Sequence, residues 1–260
     1  MRRLPFTKRT RTEARTVGAA GSAGRRTGAL LLAAIGGGAL VGAATHLALP
    51  ASDPIPKTTR SAALPPPRDV QVVAAPQVSF TGLAWWDYHG VALPYSAGDG
   101  PRSTGGDLAS GFTRTPLGAL LAAVHVSVRA NAQWGPQVFE PTITKQVIGP
   151  DAATLLAAMR ELYGKRHGDL PKDAALGRAY VVLEAFRWQG YSPDTASLDL
   201  VSAGPGDSDM TVRAVTRIQL QWQNDDWRVI APPGGTWGGA AASLTSSDGY
   251  IRFPNTGGGS

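Results

Sequence analysis

Residues 28–49, GALLLAAIGGGALVGAATHLAL, form a 22-residue run without a formally charged side chain. Eight basic residues precede it (Arg2, Arg3, Lys8, Arg9, Arg11, Arg15, Arg25 and Arg26) against one acid, Glu13. At a helical rise of about 1.5 Å per residue, such a run can cross a hydrocarbon core of about 30 Å. The flanking charge predicts that the basic tail, residues 1–27, stays in the cytoplasm and that the chain after the span lies outside. A cleaved signal peptide is the rival reading, but its apolar region normally covers only about 7–15 residues. Ala34, Gly38 and Gly42 form a small-residue row on one face of the expected transmembrane helix, a candidate helix–helix contact.

The basic tail also decides how the overall charge is read. The chain carries 25 basic and 19 acidic residues, a formal +6. Without the tail, seventeen basic and eighteen acidic residues remain, a formal −1. The outer part therefore has no basic excess with which to hold nucleic acid, and direct nucleic-acid binding by it is not expected. The chain has no cysteine, which removes disulfides, thiolate metal sites and cysteine nucleophiles together. An exported domain without disulfides must be held by its own core.

Proline marks residues 50–78 as an extended linker (Pro50, Pro54, Pro56, Pro65 to Pro67, Pro76). The outer domain is expected over 79–235, with a Gly/Ser-rich, partly ordered tail at 236–260. Residues 79–114 are rich in turn formers, yet the aromatic cluster Trp85, Trp86, Tyr88 implies packing. Thr115-Pro116 opens a helix in which Leu117, Leu120, Leu121, Val124 and Val128 recur at helical spacing. A second helical start is expected at Pro141, running to Gly149. A third opens at Gly149-Pro150-Asp151 and is expected to end at Gly164. The pattern then becomes extended, with strands expected at 178–189, 196–202, 211–222 and 227–230. Over 211–222 the apolar positions alternate with Arg213, Arg217, Gln219 and Gln221. The predicted class is α+β: an N-terminal transmembrane helix, then helices packed on a curved four-stranded antiparallel sheet.

The order of span, proline linker, helices and a sheet ending in Asp226-Trp227-Arg228-Val229 resembles the nuclear-transport-factor-2-like cone fold. With a membrane anchor, it is similar to the assembly subunits of type IV secretion and conjugation machines. More specifically, GVALPYSAGDGP (90–101), GFTRTPLGALLAAV (111–124) and WRVIAPPGG (227–235) resemble an uncharacterised family of actinobacterial membrane-anchored proteins often linked to conjugative elements. The resemblance implies a cone-like outer domain and a scaffolding role. It supplies no catalytic residue.

An enzyme of the cone type would place a carboxylate or an acid–histidine pair in a pocket, and Glu184, Asp199 and His125 are the residues available for that. Glu184 lies in the row Tyr180, Val182, Phe186, Trp188; if the row faces the core, burial would raise its pKa. The alternative places that row outward, with Val181, Leu183 and Ala185 inside. His89 and His167 have no partner at metal-ligand spacing, and neither a phosphate loop nor a GxSxG elbow is present. The sequence is therefore read as a non-enzymatic, single-pass plasma-membrane protein with its C-terminal domain outside the cytoplasm. It is expected to serve as a structural component of a conjugation or type IV-like secretion apparatus. No cofactor or metal is expected. The expected partners are the lipid bilayer, envelope or secretion-channel proteins and further copies of the chain, with Trp85, Trp86 and Tyr88 as the candidate interface. A solute- or cell-wall-binding module is the alternative function, and a cone-fold enzyme using Glu184 the third.

Overall fold

The computed structural model describes residues 75–105, 108–206 and 210–254. The first element is a hairpin of β1 (Ala84–Tyr88) and β2 (Val91–Tyr95). Its two-residue turn, His89-Gly90, has positive φ at both positions (51° and 99°), the geometry that suits the twist of the flanking strands. Three helices follow: α1 (Pro116–Arg129), α2 (Pro136–Gln146) and α3 (Ala152–His167), with the two-residue strand β3 (Val147–Ile148) between the last two. The long strands come next: β4 (Val182–Tyr191), β5 (Thr195–Pro205), β6 (Thr211–Gln223) and β7 (Asp226–Ile230). After two 3₁₀ turns the chain adds β8 (Ala241–Ser243) and β9 (Ile251–Arg252).

This is a mostly-sheet domain, and it corrects the expected architecture. In place of a four-stranded antiparallel cone there is a seven-stranded mixed sheet in the order β3-β7-β6-β5-β4-β9, with β8 on the edge of β6. The β3–β7 pair is parallel. The added strands are two or three residues long, too short to show any alternation. They pair because open sheet edges leave backbone groups unsatisfied, not because their side chains prefer strands. Among the described residues no helix is long and apolar enough to cross a membrane. The 28–49 run, including Ala34, Gly38 and Gly42, lies outside the described residues.

Helix α1 covers one face of the sheet and is buried on every side from Gly118 to Arg129. Its start is the expected one: Thr115 Oγ1 accepts the Gly118 N–H at 3.0 Å, and Pro116 sits in the first turn. Small residues (Ala119, Ala122, Ala123) let the sheet and hairpin approach it from several directions. Against it the sheet presents Phe186, Leu198, Leu200, Ile218, Leu220, Trp227 and Val229, all nearly inaccessible. Helix α2 begins earlier than expected, after Gly135, and carries Pro141 inside it. Helix α3 runs through Gly164 and ends only at Gly168, because a lone glycine weakens a helix without stopping it.

A β-bulge in β4 explains a second difference. The pairing with β5 shifts between Leu183 and Ala185, which moves the side-chain alternation from one face to the other. Val181 and Leu183 point into the core before the bulge, and Phe186 and Trp188 do so after it. Tyr180, Val182, Glu184, Phe186 and Trp188 thus do not share a face.

One junction fastens helix, hairpin loop and sheet. Asp226, at the start of β7, is almost fully buried. Its Oδ2 accepts the Gly111 N–H at 3.0 Å, and its Oδ1 accepts the N–H groups of Phe112 (3.1 Å) and Trp227 (3.0 Å). The Trp227 indole N–H donates to the Thr113 carbonyl at 2.9 Å. Asp99, in the loop after β2, accepts from the Thr113 and Thr115 hydroxyls. Gly100 fits beneath, where a Cβ would lie 2.8 Å from the Gly111 carbonyl oxygen.

Replacing Asp226 by Ala strands three backbone donors in a buried site and is expected to cost about 3 kcal/mol or more. Asp226→Asn keeps one acceptor but turns an NH₂ toward a donor, and is expected to cost less, about 1–2 kcal/mol. Urea unfolding of the two variants checks both the size and the order.

Candidate functional site

The face of the sheet turned away from α1 carries a groove of about 420 Å³. It opens at a break in the strand ladder. Strand β7 pairs with β6 at residues 220–223 and β8 pairs with β6 at 214–216, so the edge at 217–219 lies between them. The chain leaving β7 (Ile230 to Pro233) makes one wall, Gly239 to Ala242 another, and Tyr250 closes a side.

The floor is built by cross-strand register. Arg187 on β4, Asp199 on β5 and Arg217 on β6 are direct neighbours across the three strands. Asp199 is the buried member, its side chain 6 % exposed, whereas those of Arg187 and Arg217 are 46 % and 53 % exposed. Arg217 Nε donates to Asp199 Oδ1 at 2.9 Å and its Nη2 to Oδ2 at 3.3 Å. Arg187 Nη2 donates to Oδ2 at 3.2 Å, and Gln189 Nε2 to the same oxygen at 2.7 Å. The Arg187 guanidinium lies over the Tyr250 ring, 4.4 Å from its centroid. The hydrogen bond to Asp199 raises the Arg217 pKa above its ordinary value, so this cation is firmly held in its charged form. Chemically the arrangement is two half-exposed guanidinium forks held by one buried carboxylate.

The residues singled out from sequence are distributed differently. Trp86 is 58 % exposed and stacks on Tyr95 across the hairpin, centroids 4.2 Å apart. Trp85 is half-buried, edge-on to Phe253 at 5.7 Å. Tyr88 is also half-buried, with the Arg129 guanidinium 4.3 Å above its ring. One strand therefore carries all three, but only Trp86 is mainly exposed. Glu184 lies outside the groove lining and is held by Arg213, whose Nε and Nη2 donate at 2.7 and 3.1 Å. Of the three residues weighed for an enzyme, only Asp199 lies in the groove, and cations and an amide occupy its oxygens. Among the described residues no group of three or more His, Asp or Glu is placed to hold a metal ion.

His125 is sealed in the core. Its Nε2 meets the Pro94 carbonyl at 2.7 Å and its Nδ1 meets Arg129 Nη1 at the same distance. The only assignment that satisfies both contacts is a neutral ring that donates from Nε2 and accepts at Nδ1. Burial first, and the Arg129 charge second, lower its pKa to about 3, while the Pro94 bond acts the other way. Its chemistry serves the core.

Sequence reasoning did not find Arg187, Gln189 or Tyr250. Arg217 was legible only as an outward residue of the alternating strand. The missing signal is register: the β4 bulge decides which residues stand opposite Asp199, and Tyr250 arrives from a distant segment.

The chain belongs to a family described as a domain of unknown function (DUF8175), whose model matches residues 47–252. That match takes in the hairpin, the helices, the groove and all three motif stretches at 90–101, 111–124 and 227–235. No curated protein and no solved structure matches the chain.

The His125 environment predicts acid sensitivity. The unfolded chain titrates this group near 6.5, and the fold holds it down to about 3, so between these values the unfolded state binds more protons. The contribution is fully present above pH 6.5 and is lost as pH falls toward 3, at about 1.4 kcal/mol per unit. Long-range ¹H–¹⁵N spectra of the folded protein should show a neutral Nε2–H imidazole at about pH 4. A midpoint near 6.5 in the folded state would contradict this account.

Proposed function

We propose that the protein is a non-enzymatic docking component of a cell-envelope assembly of the conjugation or type IV-like secretion kind. The 28–49 run attaches it to the lipid bilayer, the basic tail stays in the cytoplasm, and the folded domain works outside. The groove is the observation that carries this reading. It is an open concavity whose polar floor is prepared in advance, with both guanidinium groups positioned by a buried carboxylate. Fixed recognition groups on rigid strands are what a binding surface requires. Exposed Trp86, stacked on half-buried Tyr95 of the hairpin, offers a second contact surface of the kind that anchors protein interfaces. The likeness of 90–101, 111–124 and 227–235 to actinobacterial membrane-anchored proteins supports placing it in an envelope apparatus, and self-association of the chain belongs to the same reading.

The volume of the groove favours one alternative, a solute- or cell-wall-binding module, because about 420 Å³ is in the range of small-ligand sites. For the enzyme reading, the structure offers Glu184 only as the partner of Arg213.

A photoreactive amino acid at Gln219, in the groove, tests the docking reading in native membranes. A discrete adduct with another envelope protein or a second copy of the chain is expected there and not from the same probe at exposed Glu161 on α3. No adduct at Gln219, or the same adducts from both positions, overturns docking through the groove. The location has a separate check: a reporter active only outside the cytoplasm, fused after Ser260, should be active. A silent but stable fusion would reverse the assigned topology.

A further inference from the structure

The charge of the groove is specific enough to name what it binds. We infer that it is a receptor for a singly charged carboxylate carried on an otherwise uncharged small ligand or chain end. This rests on the reading of the groove as a docking site and adds the chemical class of the group that enters it.

Three charged side chains line the groove, Arg187, Arg217 and Asp199, which leaves it with one positive charge in excess. Asp199 offers little to a ligand, because its side chain is only 6 % exposed and its oxygens already accept four N–H contacts, three of them at Oδ2, from Arg187, Gln189 and Arg217. Its role is to hold the guanidinium groups. A guanidinium has five N–H donors; Arg217 spends two on Asp199 and Arg187 spends one. The rest belong to groups about half exposed, beside the concavity. The Tyr250 ring packs against the Arg187 guanidinium and helps to hold its plane.

Two planar forks fixed in this way match a carboxylate, whose two oxygens can each take a parallel N–H bond. One unit of negative charge neutralises the site. A dianion such as a phosphate monoester would overshoot that balance and add repulsion from Asp199. The walls agree with a ligand whose body is uncharged. Ile230, Pro232, Pro233 and the Ala240 to Ala242 stretch are apolar, and Gln219 is the neutral polar group beside them. A carboxylate held this way leaves its apolar neighbours against alanine and proline surfaces.

The test uses the full-length chain in neutral detergent with three probes: N-acetyl-alanyl-alanine, its C-terminal amide, and dimethyl phosphate. Calorimetry gives the affinities, and NMR of the arginine Nε–H and alanine methyl signals locates the binding. The free-acid peptide is expected to bind at least about tenfold more tightly than the amide, the difference of one charge-assisted fork contact. The shifts should fall on Arg187, Arg217, Ala241 and Ala242. Arg187→Gln is expected to weaken the acid about tenfold and leave the amide unchanged. Equal binding of acid and amide, tighter binding of dimethyl phosphate, or shifts confined to other residues overturns the carboxylate assignment. So does the absence of binding by the acid. The wild-type comparison stands alone if Arg187→Gln fails to fold. A Gln219 adduct in membranes together with acid–amide indifference would leave docking intact and refute only the carboxylate.

Discussion

Three backbone N–H groups, two from the loop before α1 and one from β7, converge on the buried carboxylate of Asp226. The other features of the domain follow from that junction. A carboxylate taken out of water is costly unless its lone pairs are met, which favours the loop arrangement that brings these N–H groups to it. That arrangement fixes the start of α1, where Thr113 and Thr115 are in turn tied to Asp99 and Thr113 receives the Trp227 indole N–H. Helix α1 is thereby laid on one face of the sheet, and the opposite face is left for the groove. The three stretches that carry the family resemblance, 90–101, 111–124 and 227–235, supply Asp99, the Gly111 to Thr115 loop and Trp227. Asp226 is the residue immediately before the last of them. These stretches therefore supply the parts of the junction.

Asp199 solves the same physical problem in the opposite way. Where Asp226 is met mainly by backbone amides, Asp199 is met by two cations and a side-chain amide. The first solution joins segments of chain. The second orders long side chains that would otherwise sample many rotamers, and it does so at the open end of a cleft. Holding those guanidinium groups in place before any partner arrives reduces the entropy lost when one does.

What the sequence makes legible is local. The Thr115-Pro116 helix start and the alternation over 211–222 both stand in the structure, because capping and side-chain period depend on neighbours within a few residues. The failures are non-local. The bulge after Leu183 splits the Glu184 row between two faces, and no residue type there announces it. Strands β3, β8 and β9 exist because edges of other strands need partners, so their own sequence shows nothing. The groove needs both kinds of information at once: the corrected register of β4 and the return of the chain past β7. Hence Asp199 was visible as a carboxylate on a strand, while the arginines that define its role were not.

The distribution of arginines shows why burial must be known before residue type is read as function. Arg129 is a cation in the centre of the core, 2 % exposed, and among the described residues no carboxylate is paired with it. It is stabilised by the face of Tyr88 and by the lone pair of a histidine that the same environment keeps neutral. Judged by residue type and spatial neighbours alone, an Arg beside a His and an aromatic ring looks more like a site than Arg187 or Arg217 does. Its contacts instead bind α1 to the hairpin, beyond the reach of any ligand. The groove arginines have the opposite balance: their carboxylate is buried and they are not. A guanidinium anchored from behind and open in front is the one that can act on a partner. That asymmetry is the reason the proposed docking surface is placed on the sheet face away from α1.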